Sequence, residues 1–237
     1  MMKFLIPIFL IFSIIPAHSQ EMDKFYYMLG YNFDLSYPLH YQGDLKKVKM
    51  AFEMSDHDMS KVYRFSEVTG LKFKKRRAEK DCLNCHQFYR FTKINPTYKL
   101  NDYYDFTYTK VKEYYHGFGE VEEEKQHGFL KPSVLKNITE QQMKSYLAGA
   151  YLEAGVIKGD TVKFVFHQSL NQKLTLIKEF IEKIEEPRFF KVIHRKDENH
   201  FYGPTLLLVP NKILWNLFKN EEDRKHELLT SYNFSKN

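Results

Sequence analysis

The chain has 237 residues, of which 43% are hydrophobic and 28% charged. This composition excludes an intrinsically disordered polypeptide, whose apolar content is too low to offset the entropy of ordering. With 10 Gly and 8 Pro it also excludes collagen-like and low-complexity classes. The formal net charge of +6 is mildly basic, and we find neither an internal repeat nor a glycine-rich phosphate loop.

Residues 1–20 have the pattern of a cleaved secretory signal. Lys3 precedes an apolar run, and Ala17 and Ser19 are the small residues that a signal peptidase reads. The alternative is a membrane anchor, but an apolar core of about twelve residues is shorter than the roughly twenty that span a bilayer. We therefore predict an exported protein, periplasmic or secreted, without a stable membrane span after cleavage. Its net charge would be +5, because residues 1–20 contain one Lys and no acid.

The segments that follow residue 20 carry weaker signals of structure and function. Residues 22–35 favour a helix. Asp56-His57-Asp58 is typical of a solvated turn, with cation binding as the alternative. The basic run from Lys72 to Arg77 is a solvated helix face or a footprint for an anionic partner.

The two cysteines of the chain lie in the sequence Cys82-Leu83-Asn84-Cys85-His86. This five-residue pattern attaches haem covalently outside the cytoplasm. The two thiols can each form a thioether to a porphyrin vinyl group, and the adjacent imidazole can bind the iron. A redox-active dithiol, half of a zinc site and a local disulfide are the alternatives.

Around this motif, residues 65–155 resemble a small c-type cytochrome. The resemblance rests on the segment from Val68 to Phe73, on the CxxCH motif and on the helix that follows Thr139. It implies a largely helical region with covalently bound haem c, held by Cys82, Cys85 and the iron ligand His86. The family's Gly-Met-Pro-like distal segment is missing, so His127 or His116 is the candidate second iron ligand, ahead of Met143. The implied function is electron transfer or haem-based sensing with a redox partner protein, with no catalytic residue and no nucleic acid.

A helix is predicted from Thr139 onward. Thr139 and Gln142 form a capping box. Apolar residues then recur at helical spacing and present one apolar face: Met143, Tyr146, Leu147, Ala150 and Ala154.

The second half of the chain predicts alternating helices and strands. Val162–Phe166 alternates as a half-buried strand, and Leu170–Ile184 has the period of an amphipathic helix. Strands at 156–158, 189–194 and 202–209 and a short helix at 213–218 complete an α-β-β-α-β-β-α order, with Pro210 ending the last strand. We therefore predict an α+β protein, with a signal at 1–20, an N-terminal region at 21–138 and a C-terminal α+β unit at 139–237.

This C-terminal unit resembles half of a LAGLIDADG homing endonuclease or maturase. The resemblance rests on Leu147–Gly155, Phe164–Gln168 and Leu174–Phe180. It implies a helix seam in which Leu147, Gly149 and Gly155 pack against a second motif helix. The candidate partner is the segment 28–34, and a chain with a single motif would have to dimerise.

In that family an acid just before the final Gly of the motif binds the metal that activates water. Here Ala154 occupies the position and Glu153 is one residue early, which rotates the carboxylate by about 100° on a helix. We therefore expect no nuclease activity. A degenerate nucleic-acid-binding protein is the alternative to the haem protein, and a secreted binding module with a CxxC disulfide is a third.

Overall fold

A computed structural model describes residues 21–31, 36–38, 53–55, 59–75, 88–91, 103–115, 119–166, 171–194, 196–197, 200–201 and 204–235. The helices of this part of the chain are α1 (Lys24–Tyr31), α2 (Met59–Thr69), α3 (Pro132–Leu135), α4 (Glu140–Ala154), α5 (Asn171–Ile184) and α6 (Lys212–Ser235). The predicted signal at 1–20 and the Asp56-His57-Asp58 segment lie outside the described residues.

The described strands form four antiparallel sheets. The first half of the chain contributes β1 (Ser36–Pro38), β2 (Glu53–Ser55), β3 (Phe73–Lys75), β4 (Phe88–Phe91), β5 (Tyr104–Tyr115) and β6 (Gly119–Leu130). The second half contributes β7 (Gly155–Lys158), β8 (Thr161–Val165), β9 (Phe189–Ile193), β10 (Lys196–Asp197), β11 (His200–Phe201) and β12 (Thr205–Val209). The strand orders are β1-β6-β5, β2-β4-β3, β7-β8-β12-β9 and β10-β11.

The α+β class predicted from the sequence is confirmed. From α4 to α6 the elements follow the predicted α-β-β-α-β-β-α order, with the short β10–β11 ladder inserted before β12. The expectation of a largely helical region around the CxxCH motif needs one correction. The strands β5 and β6 pair along their whole length as a hairpin, and alternating residues such as Thr107, Thr109 and Val111 have the β-branched side chains that favour strands.

Helix α4 lies at the centre of the second half. Its capping box is present as predicted, since the Thr139 hydroxyl accepts from the backbone N–H of Gln142 and the Gln142 side chain accepts from the N–H of Thr139. The prediction of one apolar face is too narrow, because every residue from Ser145 to Leu152 is buried. The helix is therefore enclosed by α1, α5, α6 and the following sheet.

Helices α1 and α4 approach each other through two glycines. A methyl group placed on Gly30 would overlap the carbonyl oxygen of Tyr146, and one placed on Gly149 would overlap the carbonyl oxygen of Tyr27. Tyr146 lies three positions before Gly149, and Tyr27 lies three positions before Gly30. The two backbones are in contact, as small residues permit at a close helix crossing.

Helix α1 contains residues 28–31 of the segment 28–34, which the sequence indicated as the candidate partner of α4. The second helix of the seam therefore comes from the same chain, and the expected dimerisation is not needed to form it. Gly155 takes no part in it, because it begins β7 and its nearest neighbour is the ring of Tyr151.

The two halves of the chain repeat one order of elements, a repeat that the sequence did not reveal. When β1, β7 and the short β10–β11 ladder are left out, the seam helix, a strand, a helix and two more strands occur in the order α1-β2-α2-β3-β4 and again in the order α4-β8-α5-β9-β12. In both sheets the last of these strands lies between the other two, giving the orders β2-β4-β3 and β8-β12-β9. The halves therefore share a topology around the glycine seam.

Helix α6 is much longer than the predicted segment 213–218. Its first two turns bury Leu214, Leu217 and Phe218 in the core. Beyond Phe218 the sequence is strongly charged, and pairs three or four residues apart support the helix there, such as Lys219 with Asp223 and Arg224 with Glu227. The predicted helix ended too early because the prediction was based on apolar periodicity alone.

A polar network joins α1 and α2 to α6. Glu221 is 1% exposed and accepts hydrogen bonds from the Tyr27 hydroxyl and the Arg64 Nε, each at 3.0 Å. Burial disfavours the charge on Arg64, but the hydrogen bond and negative charge of Glu221 outweigh it and raise the pKa of the guanidinium. Burial, followed by the charge of Glu221, raises the pKa of Tyr27 well above its ordinary value. The network therefore fixes a carboxylate inside the fold.

Two further carboxylates of this region make stability depend on pH. Burial acts to raise the pKa of Glu67 and of Glu222, but hydrogen bonds outweigh it and lower both: from Arg224 and Arg64 to Glu67, and from Lys225 and Tyr151 to Glu222. A lowered pKa in the folded state stabilises the protein above the unfolded pKa of about 4.3, and this contribution is lost as pH falls through the folded value. We expect the melting temperature to fall between about pH 5 and pH 3.

The check is thermal unfolding across this range with Glu67→Gln as the comparison. The variant lacks one of the two titrating groups, so its melting temperature should depend less steeply on pH. Equal slopes for the variant and the wild type would contradict the assignment to Glu67.

Candidate functional site

The four-stranded sheet β7-β8-β12-β9 has one face against the core and one face away from it. Val162 and Phe164 of β8 and Leu206 and Leu208 of β12 are fully buried. Because successive side chains of a strand point to opposite faces, the residues between them lie on the outward face. These outward positions are Val156, Lys158, Thr161, Lys163, Val165, Phe189, Lys191, Ile193, Leu207 and Val209, whereas Thr205 at the start of β12 is buried.

The strand register aligns lysines and apolar residues in a row across this outward face. Val156 pairs with Lys163, Lys163 with Leu207, and Leu207 with Lys191. Neighbouring strands are about 4.8 Å apart, so Lys163 and Lys191 lie about 10 Å apart on either side of Leu207. The row spans all four strands of the sheet.

The charge of the outward face has one sign. Lys158, Lys163 and Lys191 belong to it, and the four strands contain no Asp or Glu. The nearest acid along the chain is Asp160, which lies in the β7–β8 turn and accepts a hydrogen bond from the Thr161 hydroxyl at 3.2 Å. Clustered lysines without intervening acids attract polyanions.

The same face also exposes large apolar side chains. Phe189 is 47% exposed and Val156 is 46% exposed. In contrast, the adjacent Phe190 packs against the core, with the Lys178 ammonium of α5 at 5.9 Å from its ring centroid. The outward face therefore combines positive charge with accessible apolar surface.

The carboxyl end of α4 adjoins this sheet, since β7 follows it directly. The Lys61 ammonium donates to the carbonyl oxygen of Glu153 at 2.8 Å, and a cation at this end favours the helix dipole. Ala154, the last residue of α4, offers no side-chain ligand. Among the described residues no three His, Cys, Asp or Glu side chains gather in a group that could hold a metal.

Most of the haem ligands predicted from the sequence, namely Cys82, Cys85, His86 and His116, lie outside the described residues. His127 lies in β6, where its backbone pairs with Thr107 of β5 and Ser36 of β1.

Met143 is 8% exposed and belongs to the core, in agreement with its assignment to the packing face of the helix. In the part of the chain that the structure describes, no helix is both long and apolar enough to cross a bilayer.

The lysines of the sheet were not among the functional residues predicted from the sequence. The signal was present, because the alternation of Val162-Lys163-Phe164 that identified the strand also separates Lys163 from the buried face. Recognising a surface required the register, which places Lys191 from a strand much later in the chain in the same row.

The fold and this surface define an α+β protein with a basic, partly apolar sheet face. No protein-family model, curated protein or solved structure matches the chain.

Proposed function

We propose that this chain is a LAGLIDADG-like protein that binds nucleic acid through the outward face of the four-stranded sheet and does not cleave it. The observation that carries the proposal is the position of Lys158, Lys163 and Lys191 on strands that contain no acid. Lysines bind phosphates as point charges, and phosphate contacts supply most of the affinity of non-specific nucleic-acid binding.

The close contact between α1 and α4 supports the resemblance to LAGLIDADG proteins, on which the proposed class of protein is based. The resemblance implies that Leu147, Gly149 and Gly155 pack inward against another helix, and Gly155 does not take part in the seam. Leu147 is fully buried, and Gly149 lies against the backbone of Tyr27. The repeated order of elements on either side of this seam is a second support.

We expect no cleavage because of the residues at the carboxyl end of α4. Ala154 cannot ligate a metal, and the neighbouring carbonyl oxygen of Glu153 accepts from the Lys61 ammonium. A divalent ion prefers oxygen ligands and would meet a positive charge there. We expect supercoiled DNA to stay intact with the protein in magnesium, and strand scission that disappears in Glu153→Gln would overturn this part of the proposal.

The proposal is tested by the binding of fluorescent DNA and RNA, measured by anisotropy at several salt concentrations. We expect affinity to fall linearly with the logarithm of salt, and Lys163→Gln to weaken binding and reduce that slope by about one unit. The control is Lys183→Gln, which removes an exposed lysine from α5 and should leave the slope unchanged. No binding at low salt, or equal slopes for both variants, would refute the proposal.

The CxxCH motif favours a second candidate, a c-type haem protein for electron transfer or sensing. Protein matured in a periplasm would then show a Soret band that survives acid-acetone extraction, because thioether bonds hold the porphyrin. Cys82→Ala combined with Cys85→Ala should abolish haem retention, whereas His86→Ala should keep the haem and change the iron spectrum. Identical spectra of the double variant and the wild type would exclude this candidate.

A further inference from the structure

The outward face of the four-stranded sheet lacks the side chains that read base sequence in a duplex. Arg, Asn and Gln make the bidentate contacts to base edges in the major groove. At its outward positions the sheet carries Lys, Thr and apolar residues, and none of its four strands contains Arg, Asn or Gln. A nucleic acid on this face would therefore be bound through its phosphates and through apolar contacts.

The apolar contacts distinguish a single strand from a duplex. In a duplex the faces of the bases are stacked inside, and the surface is formed mainly by sugars, phosphates and base edges. In a single strand the bases can turn outward and stack on aromatic side chains. Phe189 is 47% exposed at one edge of the sheet and Val156 is 46% exposed at the other, and a duplex offers them little apolar surface.

The lysines are placed to hold the backbone of such a strand. Phe189 pairs with Val209 at one end of β9, and Lys191 lies two residues further along the same strand. Lys191 thus points to the same face as Phe189, and the row from Lys191 to Lys163 crosses the sheet beside it. A base stacked on the ring of Phe189 would therefore have lysine side chains beside it, and these could bind the phosphates on either side of the base.

We propose that this face binds single-stranded nucleic acid without sequence preference, with a base stacked on Phe189 and phosphates at Lys158, Lys163 and Lys191. The inference rests on the proposed nucleic-acid-binding function and names its substrate class. Single-stranded RNA and single-stranded DNA both present phosphates and base faces that can stack, so separate arms of the experiment identify which of them binds.

The experiment measures anisotropy with the full chain and labelled oligonucleotides of about fifteen nucleotides. The probes are single-stranded DNA and RNA of mixed sequence, oligo-dT and a DNA duplex of equal length. We expect at least one kind of single strand to bind about tenfold more tightly than the duplex. We expect Phe189→Ala to weaken single-strand binding by about five- to a hundredfold and to leave duplex binding unchanged.

Two variants control for the loss of an exposed aromatic ring. Phe189→Tyr keeps the ring and should keep the affinity. Phe129→Ala removes a ring that is 40% exposed on β6, a strand of a different sheet, and should not change binding. Duplex binding as tight as single-strand binding, or equal affinities of Phe189→Ala and wild type, would overturn this inference while leaving the proposed function intact. Failure of the wild type to bind any probe would overturn both.

Discussion

Replacing Gly149 by Ala should destabilise the protein by about 3 kcal/mol or more, even though Ala is the better helix former. In an open helix this change stabilises by about 0.5–1 kcal/mol. Here the new methyl group would overlap the carbonyl oxygen of Tyr27 and lie 2.9 Å from the backbone nitrogen of Tyr31. Backbone cannot move aside as a flexible side chain can, so α1 and α4 must separate and lose contacts along their length. Urea unfolding measures the effect as a lower midpoint.

A double-mutant cycle separates the seam from other causes. Gly30 lies at the equivalent position of α1, against Tyr146. Gly30→Ala should cost a similar amount, and the double variant should cost less than the sum, because helices already separated by one methyl group accommodate the second. Gly159→Ala is the comparison: Gly159 has φ 64° and open space around it, so only the backbone strain of about 1 kcal/mol is expected. A neutral or stabilising Gly149→Ala would show that the helices are not in close contact.

Local patterns in the sequence were sufficient to predict the order of the main elements of the second half, but not the β10–β11 ladder or the full length of α6. The capping box of Thr139 and Gln142 is formed by residues three apart, and the alternation of β8 and the period of α5 each lie within one segment. Such signals depend on neighbours along the chain, so they survive without knowledge of the tertiary structure.

The glycine seam and the lysine row could not be predicted in the same way. The segment 28–34 was indicated as the partner of α4 only through the family resemblance, and the positions that come into contact depend on α1 and α4 crossing at Gly30 and Gly149. Helix α6 illustrates a third limit. Its charged second half is held by ion pairs with α2, including Arg224 with Glu67, which depend on the packing of distant segments.

Replacing Arg64 by Met should have an effect comparable to that of Gly149→Ala, about 3–5 kcal/mol, because it leaves a buried charge without its partner. Glu221 is 1% exposed. Without the guanidinium it would keep the hydrogen bond from the Tyr27 hydroxyl, and a neutral donor does not balance the charge of a carboxylate in the interior. Thermal or urea unfolding measures the loss.

Two further variants identify the buried charge as the cause. In Lys219→Met, a cation is removed from an ion pair with Asp223 in which both side chains are about half exposed, and we expect a change of less than about 1 kcal/mol. Adding Glu221→Gln to Arg64→Met should recover much of the lost stability, because the neutral amide carries no charge that needs compensation. If the double variant were as unstable as the sum of the single variants, packing of the Arg64 side chain rather than its charge would hold α2 against α6.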